Sequence, residues 1–101
     1  MHPASRQIEA DLLARLLEYP EIELAGFSAR AGLTGAGVTL MMGRTFFGSW
    51  RLTCGTLVWH YAQALDNAYF ARSIDHAVYH TMRVILKHLE LDRANRIERV
   101  A

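Results

Sequence analysis

Two histidines, His76 and His80, stand four residues apart in a stretch with helical spacing. Residues at that separation share one face of a helix, and two imidazoles so placed are typical of zinc sites. Arg83 and Lys87 follow on the same predicted face, and their positive charges oppose the binding of a metal cation. We therefore expect neither a metal nor another cofactor, and we interpret this face as a solvated basic surface.

The same surface could also bind a macromolecule. Cations on an outer helix face can dock an acidic protein surface or a phosphate backbone. Large apolar side chains that are exposed together mark interfaces, and the registers proposed below place four of them on outer faces, namely Met41, Phe47, Val58 and Tyr79. The predicted partner-binding residues are His76, His80, Arg83, Lys87, Tyr79, Met41 and Phe47.

Residues for covalent or acid–base chemistry are few. Cys54 is the single cysteine, and His60 lies six residues beyond it. No third residue is placed to orient a thiol–imidazole pair, so we expect a protein without catalytic activity. If it were a small enzyme, His60 and Asp66 would be the first residues to substitute. The glycines of residues 32–37 resemble a dinucleotide-binding loop only superficially, because that loop follows a buried strand in a large sheet.

Two helices are predicted from periodicity. Residues 5–18 repeat apolar side chains at helical spacing, and Ser5 is placed to cap the N-terminus. Ser73 is placed to cap a second helix that ends near residue 91 and presents an apolar stripe. The stripe consists of Ile74, Val78, Met82, Ile85 and Leu89.

Strands are predicted between the helices, where all seven glycines lie. Residues 50–61 alternate on both sides of Cys54–Gly55, which predicts a hairpin with Trp50 opposite Trp59 and Leu52 opposite Leu57. Residues 27–34 and 38–42 alternate as well, with a turn between them and another at Gly43. The predicted fold class is α+β: an N-terminal helix, an antiparallel β-meander of three to four strands and a C-terminal helix packed on the sheet.

A second interpretation concerns residues 28–39. Their small residues, with Gly32 at the turn and Val38 six residues beyond it, resemble a helix-turn-helix. With the first helix in front and the hairpin behind as a wing, about half of the chain resembles a winged helix, which implies a DNA-binding transcriptional regulator. The supposed recognition helix, residues 34–42, contains Gly35 and Gly37 and no Arg, Lys, Asn or Gln to read bases. We therefore favour strands there.

Composition sets the remaining expectations. The chain of 101 residues carries 51% hydrophobic residues and a net charge of +1, which suits a single domain over 1–101 with 92–101 as a frayed tail. No signal peptide or membrane span is evident, so we expect a cytoplasmic protein that does not enter a membrane. By elimination we predict a non-catalytic protein-binding module, which is a small regulator, inhibitor or adaptor of a larger protein complex. Homodimerisation would use the same surface. Binding of nucleic acid is the alternative.

Overall fold

The computed structural model describes residues 3–32, 37–61 and 68–100, and the side chains of all of these except 3–5 and 96–100. Two helices precede a run of strands, and a long helix follows it. The elements are α1 (Pro3–Leu17), α2 (Pro20–Leu24), β1 (Phe27–Ala31), β2 (Val38–Met42), β3 (Thr45–Thr53), β4 (Thr56–Tyr61), β5 (Ala68–Ala71) and α3 (Ile74–Val100).

The strands form one antiparallel sheet in the order β1-β2-β3-β4-β5. The α+β class and the meander are therefore confirmed, with β5 as a strand beyond those predicted. Residues 27–31 and 38–42 are strands, so the structure contains no recognition helix at 38–42 and the helix-turn-helix interpretation is wrong there. Residues 33–36, also part of that interpretation, lie outside the described residues.

The hairpin of β3 and β4 has the predicted register. Trp50 pairs with Trp59 and Leu52 with Leu57. Cys54 and Gly55 form the turn with φ angles of 50° and 79°. Two successive positive φ angles give the turn the twist that two antiparallel strands need, and glycine at the second position adopts that angle without steric cost.

The pairing of β2 with β3 contains a β-bulge that the sequence pattern did not reveal. Leu40 pairs with Gly48 but Met41 pairs with Phe46, so Phe47 is an extra residue in β3. The bulge directs Phe47 into the core, where its ring lies 4.9 Å from that of Phe27. The prediction that Phe47 lies on an outer face is therefore wrong, and Phe46, 43% exposed, occupies that position.

All three helices pack on the same face of the sheet. Leu12 of α1, Ile22 of α2 and Ile85 of α3 belong to one buried cluster with the inward-facing strand residues. Inward-facing strand positions include Leu40, Trp50, Leu57 and Trp59. The fold is thus a two-layer structure, and within the described residues the opposite face of the sheet carries no helix.

Helix α3 begins as predicted and runs further. The Ser73 hydroxyl accepts a hydrogen bond of 3.1 Å from the backbone N–H of His76, which confirms the cap. The helix continues to Val100, so the predicted frayed tail is helical over 92–100. Leu89, predicted to belong to the apolar stripe, is 38% exposed. A helix of 27 residues is about 40 Å long and outruns the sheet that covers its first half.

Candidate functional site

Four of the seven predicted partner-binding residues lie together around one cavity. Helix α3 and strands β4 and β5 line an open cavity of about 620 Å³, which we call the tyrosine cavity after the three tyrosines in its wall. The predicted residues that line it are Tyr79, His80, Arg83 and Lys87, and the lining residues that sequence reasoning did not assign to a site are Tyr61, Tyr69, Val84, Leu86 and Glu90. His76 is exposed on the first turn of α3 and does not line this cavity.

His80 is not on a solvated face, and that prediction is wrong. It is half-buried, and its ring stacks on Tyr69 of β5 with centroids 3.8 Å apart and planes inclined by 2°. The indole rings of Trp50 and Trp59 lie 5.7 Å and 6.2 Å away. The reason is β5: once a fifth strand extends the sheet, α3 contacts apolar surface over a wider arc than the predicted stripe, and His80 falls inside that arc.

The polar atoms of this aromatic cluster differ in how they are satisfied. The Trp50 indole N–H donates a hydrogen bond of 2.8 Å to the Thr81 hydroxyl, which donates in turn to the Ala77 carbonyl. Among the described residues, by contrast, the buried Trp59 Nε1 and His80 Nε2 have no hydrogen-bond partner. Buried polar groups are nearly always paired, so two unpaired ones in one aromatic cluster are unusual.

Tyr61 connects Trp59 to the cavity. Its ring lies 5.4 Å from that of Trp59, nearly perpendicular to it. Burial raises the pKa of the Tyr61 hydroxyl above its ordinary value, and the nearby Trp59 N–H opposes only part of that rise. This N–H lies close to the Tyr61 hydroxyl without meeting full hydrogen-bond geometry, and because Trp59 is fully buried it does not face the cavity.

His80 makes the stability of the fold depend on pH. Burial lowers the pKa of His80 below its ordinary 6.5, and the positive charge of Arg83 adds to that lowering. The other side chains facing it are Tyr69, Trp50 and Trp59, none of which is anionic at neutral pH. The unfolded chain therefore binds a proton at His80 more readily than the folded chain does. The contribution of neutral His80 to the free energy of unfolding is complete above pH 6.5 and is lost as pH falls through the folded-state pKa.

We expect His80→Phe, which keeps the ring stack and removes the titrating group, to flatten this dependence. Thermal unfolding measured by circular dichroism between about pH 5 and pH 8 should show a smaller fall in melting temperature for the variant than for the parent chain. His76→Phe is the matched control, since His76 is exposed on the same helix. Equal pH dependence in the His80→Phe variant and the parent would contradict the assignment.

The helix-free face of the sheet, which we call the open face, is the second candidate. Register places Arg30, Thr39, Ser49 and His60 side by side in one row across β1 to β4. Met41 and Phe46 form the row on one side of it. The row on the other side contains Arg51, Val58 and Phe70. Adjacent rows are about 7 Å apart, so a polar stripe runs between two apolar ones.

Exposure on the open face differs from the prediction at Val58. Val58 points outward as predicted but is only 4% exposed, because Arg51 and Phe70 flank it in the register. Phe70 itself is 64% exposed. Met41 is half-buried and, with Phe46, Arg30 and Arg51, lines a groove of about 530 Å³. The groove is the concave part of an otherwise flat surface.

The charge on the open face has one sign. No aspartate or glutamate occurs between Glu23 and Asp66, a segment that includes β1 to β4, and β5 has none either. Arg30 and Arg51 lie on the open face, and Arg44 is exposed in the turn between β2 and β3. The sequence holds this signal, although the composition as a whole conceals it behind a net charge of +1.

The residues considered for metal binding and catalysis do not converge. Within the described side chains, no group of three or more His, Cys, Asp or Glu residues could hold a metal ion. Cys54 is exposed in the hairpin turn, and His60 is exposed toward the far end of β4. Asp66 lies outside the described residues. The tyrosine cavity and the open face remain as candidate surfaces for binding another molecule.

No helix in the described ranges is both long and apolar enough to cross a membrane. Comparison with protein-family models, with the curated proteins and with the solved structures finds no match. We therefore infer the function of this protein from the open face and the tyrosine cavity themselves.

Proposed function

We propose that this protein is a non-catalytic protein-binding module whose open face binds an acidic, partly apolar segment of another protein. The observation that carries the proposal is the chemistry of that face, which has exposed Phe46 and Phe70 and two arginines and, among the described residues, neither a helix nor a carboxylate. In such a role a domain of 101 residues would act as a regulator, inhibitor or adaptor of a larger protein.

Side-chain chemistry and shape support a protein as the occupant. Exposed aromatic residues on either side of a polar stripe provide what interfaces use as anchors, and arginine is enriched there with them. The groove beside Phe46 and Met41 is deep enough to receive an apolar side chain. The cations around it would pair with carboxylates on the same segment, which fixes its orientation.

Charge argues against two other occupants of the open face, a second copy of this chain and a nucleic acid. A second copy placed face to face would bring two faces that carry Arg30 and Arg51 together with no described carboxylate on either to neutralise them, which costs free energy. Nucleic acid draws most of its affinity from neutralising many phosphates, and the described residues of the open face and its turn offer only Arg30, Arg51 and Arg44 for that purpose. An acidic protein segment satisfies the face without either penalty.

The test uses a displayed library of random peptides selected on the immobilised protein. Enriched peptides should combine Asp or Glu with Phe, Leu or Met. Arg30→Glu with Arg51→Glu should weaken their binding, measured by fluorescence anisotropy, by at least about tenfold, because the charge that attracts them is reversed. Lys87→Glu with Arg93→Glu, an equal charge change on α3, is the matched control and should leave the affinity unchanged.

Three outcomes would overturn the proposal. The first is enrichment of no acidic-apolar sequence. The second is loss of peptide binding in the α3 control variant and not in the sheet variant, which would move the docking surface to the helix. The third is salt-sensitive binding of a labelled single-stranded oligonucleotide that the sheet variant abolishes, which would assign the open face to nucleic acid.

A further inference from the structure

The outer side of β1, which we call the β1 edge, carries a row of unpaired backbone groups. The Gly43 N–H donates to the Gly26 carbonyl and the Gly32 N–H donates to the Gly37 carbonyl, both at 3.3 Å. Hydrogen-bonded and non-hydrogen-bonded pairs alternate along an antiparallel ladder. The residues that point their N–H and C=O groups away from β2 are therefore Phe27, Ala29 and Ala31. Among the described residues, these groups have no hydrogen-bond partner.

The β1 edge is open to a further strand. A row of unpaired N–H and C=O groups is a template for another extended chain, which many proteins block with proline or a bulge. β1, over Phe27–Ala31, contains no proline and pairs with β2 in unbroken register. Within the described residues it is the last strand on its side of the sheet. The backbone of β1 can therefore pair with an extended segment of another chain.

A largely apolar cavity, which we call the edge cavity, lies on the helical side of the β1 edge. Its volume of about 160 Å³ is enough for one apolar side chain. The edge cavity is lined by Leu16, Leu17, Tyr19, Pro20, Ile22, Glu23, Ser28 and Ala29. Ala29 faces the helical side, and the cavity beside it leaves it half-buried. Residues opposite each other in an antiparallel pair share a face, so a residue opposite Ala29 in an added strand would point into the edge cavity.

The open-face side of the β1 edge is basic. Arg30 lies on the open face, is exposed and forms no ion pair with a described residue. A carboxylate opposite Arg30 in an added strand would lie on the same face, where opposite charges attract. β5, the strand at the other edge of the sheet, contains no charged residue. Charge therefore distinguishes the two edges, and β1 fits a segment in which acidic and apolar residues alternate.

We propose, on the basis of the function proposed above, that the acidic, partly apolar segment of the partner binds as a sixth strand antiparallel to β1. Its backbone pairs with Phe27, Ala29 and Ala31. An apolar side chain enters the edge cavity, and an acidic one pairs with Arg30. A second copy of this chain fits less well, because β1 paired with itself about Ala29 places Ser28 opposite Arg30 and leaves that charge without a counterpart.

The probe is the fluorescein-labelled peptide Thr-Val-Glu-Leu-Glu-Val-Thr, whose binding is measured by fluorescence anisotropy. Centred on Ala29, it places the Leu over the edge cavity and one Glu opposite Arg30. We expect a dissociation constant below about 1 mM. The peptide Val-Val-Leu-Thr-Thr-Glu-Glu has the same composition and charge but cannot present acidic and apolar side chains on opposite faces of a strand. It should bind at least about tenfold more weakly.

Methylation of the peptide backbone tests the pairing on the unchanged protein. In the antiparallel pair the N–H of the central Leu bonds to the Ala29 carbonyl, so its N-methylation should weaken binding by at least about tenfold. The N–H of each Glu points away from β1. N-methylation of one Glu is therefore the matched control and should change the affinity by less than about twofold.

Ala29→Pro tests the same pairing from the protein side. Proline removes an N–H that points away from β2, so every β1–β2 hydrogen bond is retained, and edge strands tolerate proline at such positions. The variant should lose binding of the alternating peptide, with its fold checked by circular dichroism. Ala29→Ser keeps the N–H and is the matched control. Should Ala29→Pro fail to fold, the N-methylated peptides decide the test on the parent chain.

Three results would overturn the proposal. The first is no saturable binding of the alternating peptide, or equal binding of its two N-methylated forms. The second is a dimer of the parent chain in sedimentation that Ala29→Pro converts to a monomer, which would assign the β1 edge to a second copy. The third is equal binding of the alternating and block peptides, weakened in both by Arg30→Glu with Arg51→Glu. In that third case strand addition fails while the proposed function stands.

Discussion

Replacing Gly48 by alanine should lower the free energy of unfolding by about 3 kcal/mol, at the upper end of what overpacking a core costs. Gly48 faces inward on β3, directly beneath the indole ring of Trp59. A Cβ at this position would lie 2.5 Å from Trp59 Cη2 and 2.9 Å from the His60 carbonyl oxygen. The His60 oxygen belongs to the backbone of the neighbouring strand, so it cannot move without disturbing the β3–β4 pairing.

The measurement is thermal and urea unfolding, in which Gly48→Ala should melt about 15 °C below the parent chain. Ser49→Ala, on the next residue and on the open face, is the control and should change stability by less than about 0.5 kcal/mol. In a double variant with Trp59→Leu, the obstructing ring is gone. The two substitutions should then cost less together than their sum, by at least about 1 kcal/mol, and strict additivity would contradict the proposed contact.

The close approach at Gly48 also explains why local pattern predicted β3 only in part. The hairpin of β3 and β4 was accessible from the sequence because its two-residue turn fixes the register and alternation fixes the faces. At the other end of β3 the pattern Phe46-Phe47-Gly48 offers two adjacent large rings, and alternation alone cannot say which one faces inward. The β-bulge opposite Leu40 determines which of the two rings faces inward, and the bulge in turn depends on how the Trp59 ring fits over Gly48.

Strand β5 escaped prediction for a different reason. It has only four residues, Ala68–Ala71, too few for alternation to be distinguished from chance. Its Tyr69-Phe70 pair, between Asn67, a residue type common in turns, and the Ser73 cap, is the signal that could have revealed it, since aromatic residues favour strands. Missing β5 had a consequence for α3, because the strand supplies the ring on which His80 stacks.

The candidate site was predictable to the extent that it lies on one helix. Tyr79, Arg83 and Lys87 follow one another at intervals of four, so helical geometry places them together whatever they face. What they face comes from residues distant in sequence, Tyr61 and Tyr69, and only the folded sheet brings these opposite α3. Residue spacing alone therefore could not predict the cavity, although it identified four of the seven charged and aromatic residues that line it.

The hydrogen bond between Trp50 and Thr81 should be the most costly polar contact to remove. The two residues are fully buried, and the indole N–H reaches the hydroxyl at 2.8 Å across the sheet–helix interface. Thr81→Val keeps the shape of the side chain and deletes the acceptor, so it leaves the buried Trp50 N–H without a hydrogen-bond partner. We expect the free energy of unfolding to fall by about 2 kcal/mol, the desolvation cost of an unsatisfied buried N–H.

The comparison that isolates this hydrogen bond is Thr81→Ser. Serine keeps the acceptor and loses one buried methyl group, which should cost about 1 kcal/mol. Valine, the closer match in volume, should therefore be the more destabilising substitution, the reverse of what packing alone predicts. Adding Trp50→Phe removes the donor, so Thr81→Val should cost less in that background than in the parent chain. If serine destabilised the fold more than valine, the contribution of the hydrogen bond would be disproved, and the buried threonine would be there for its volume alone.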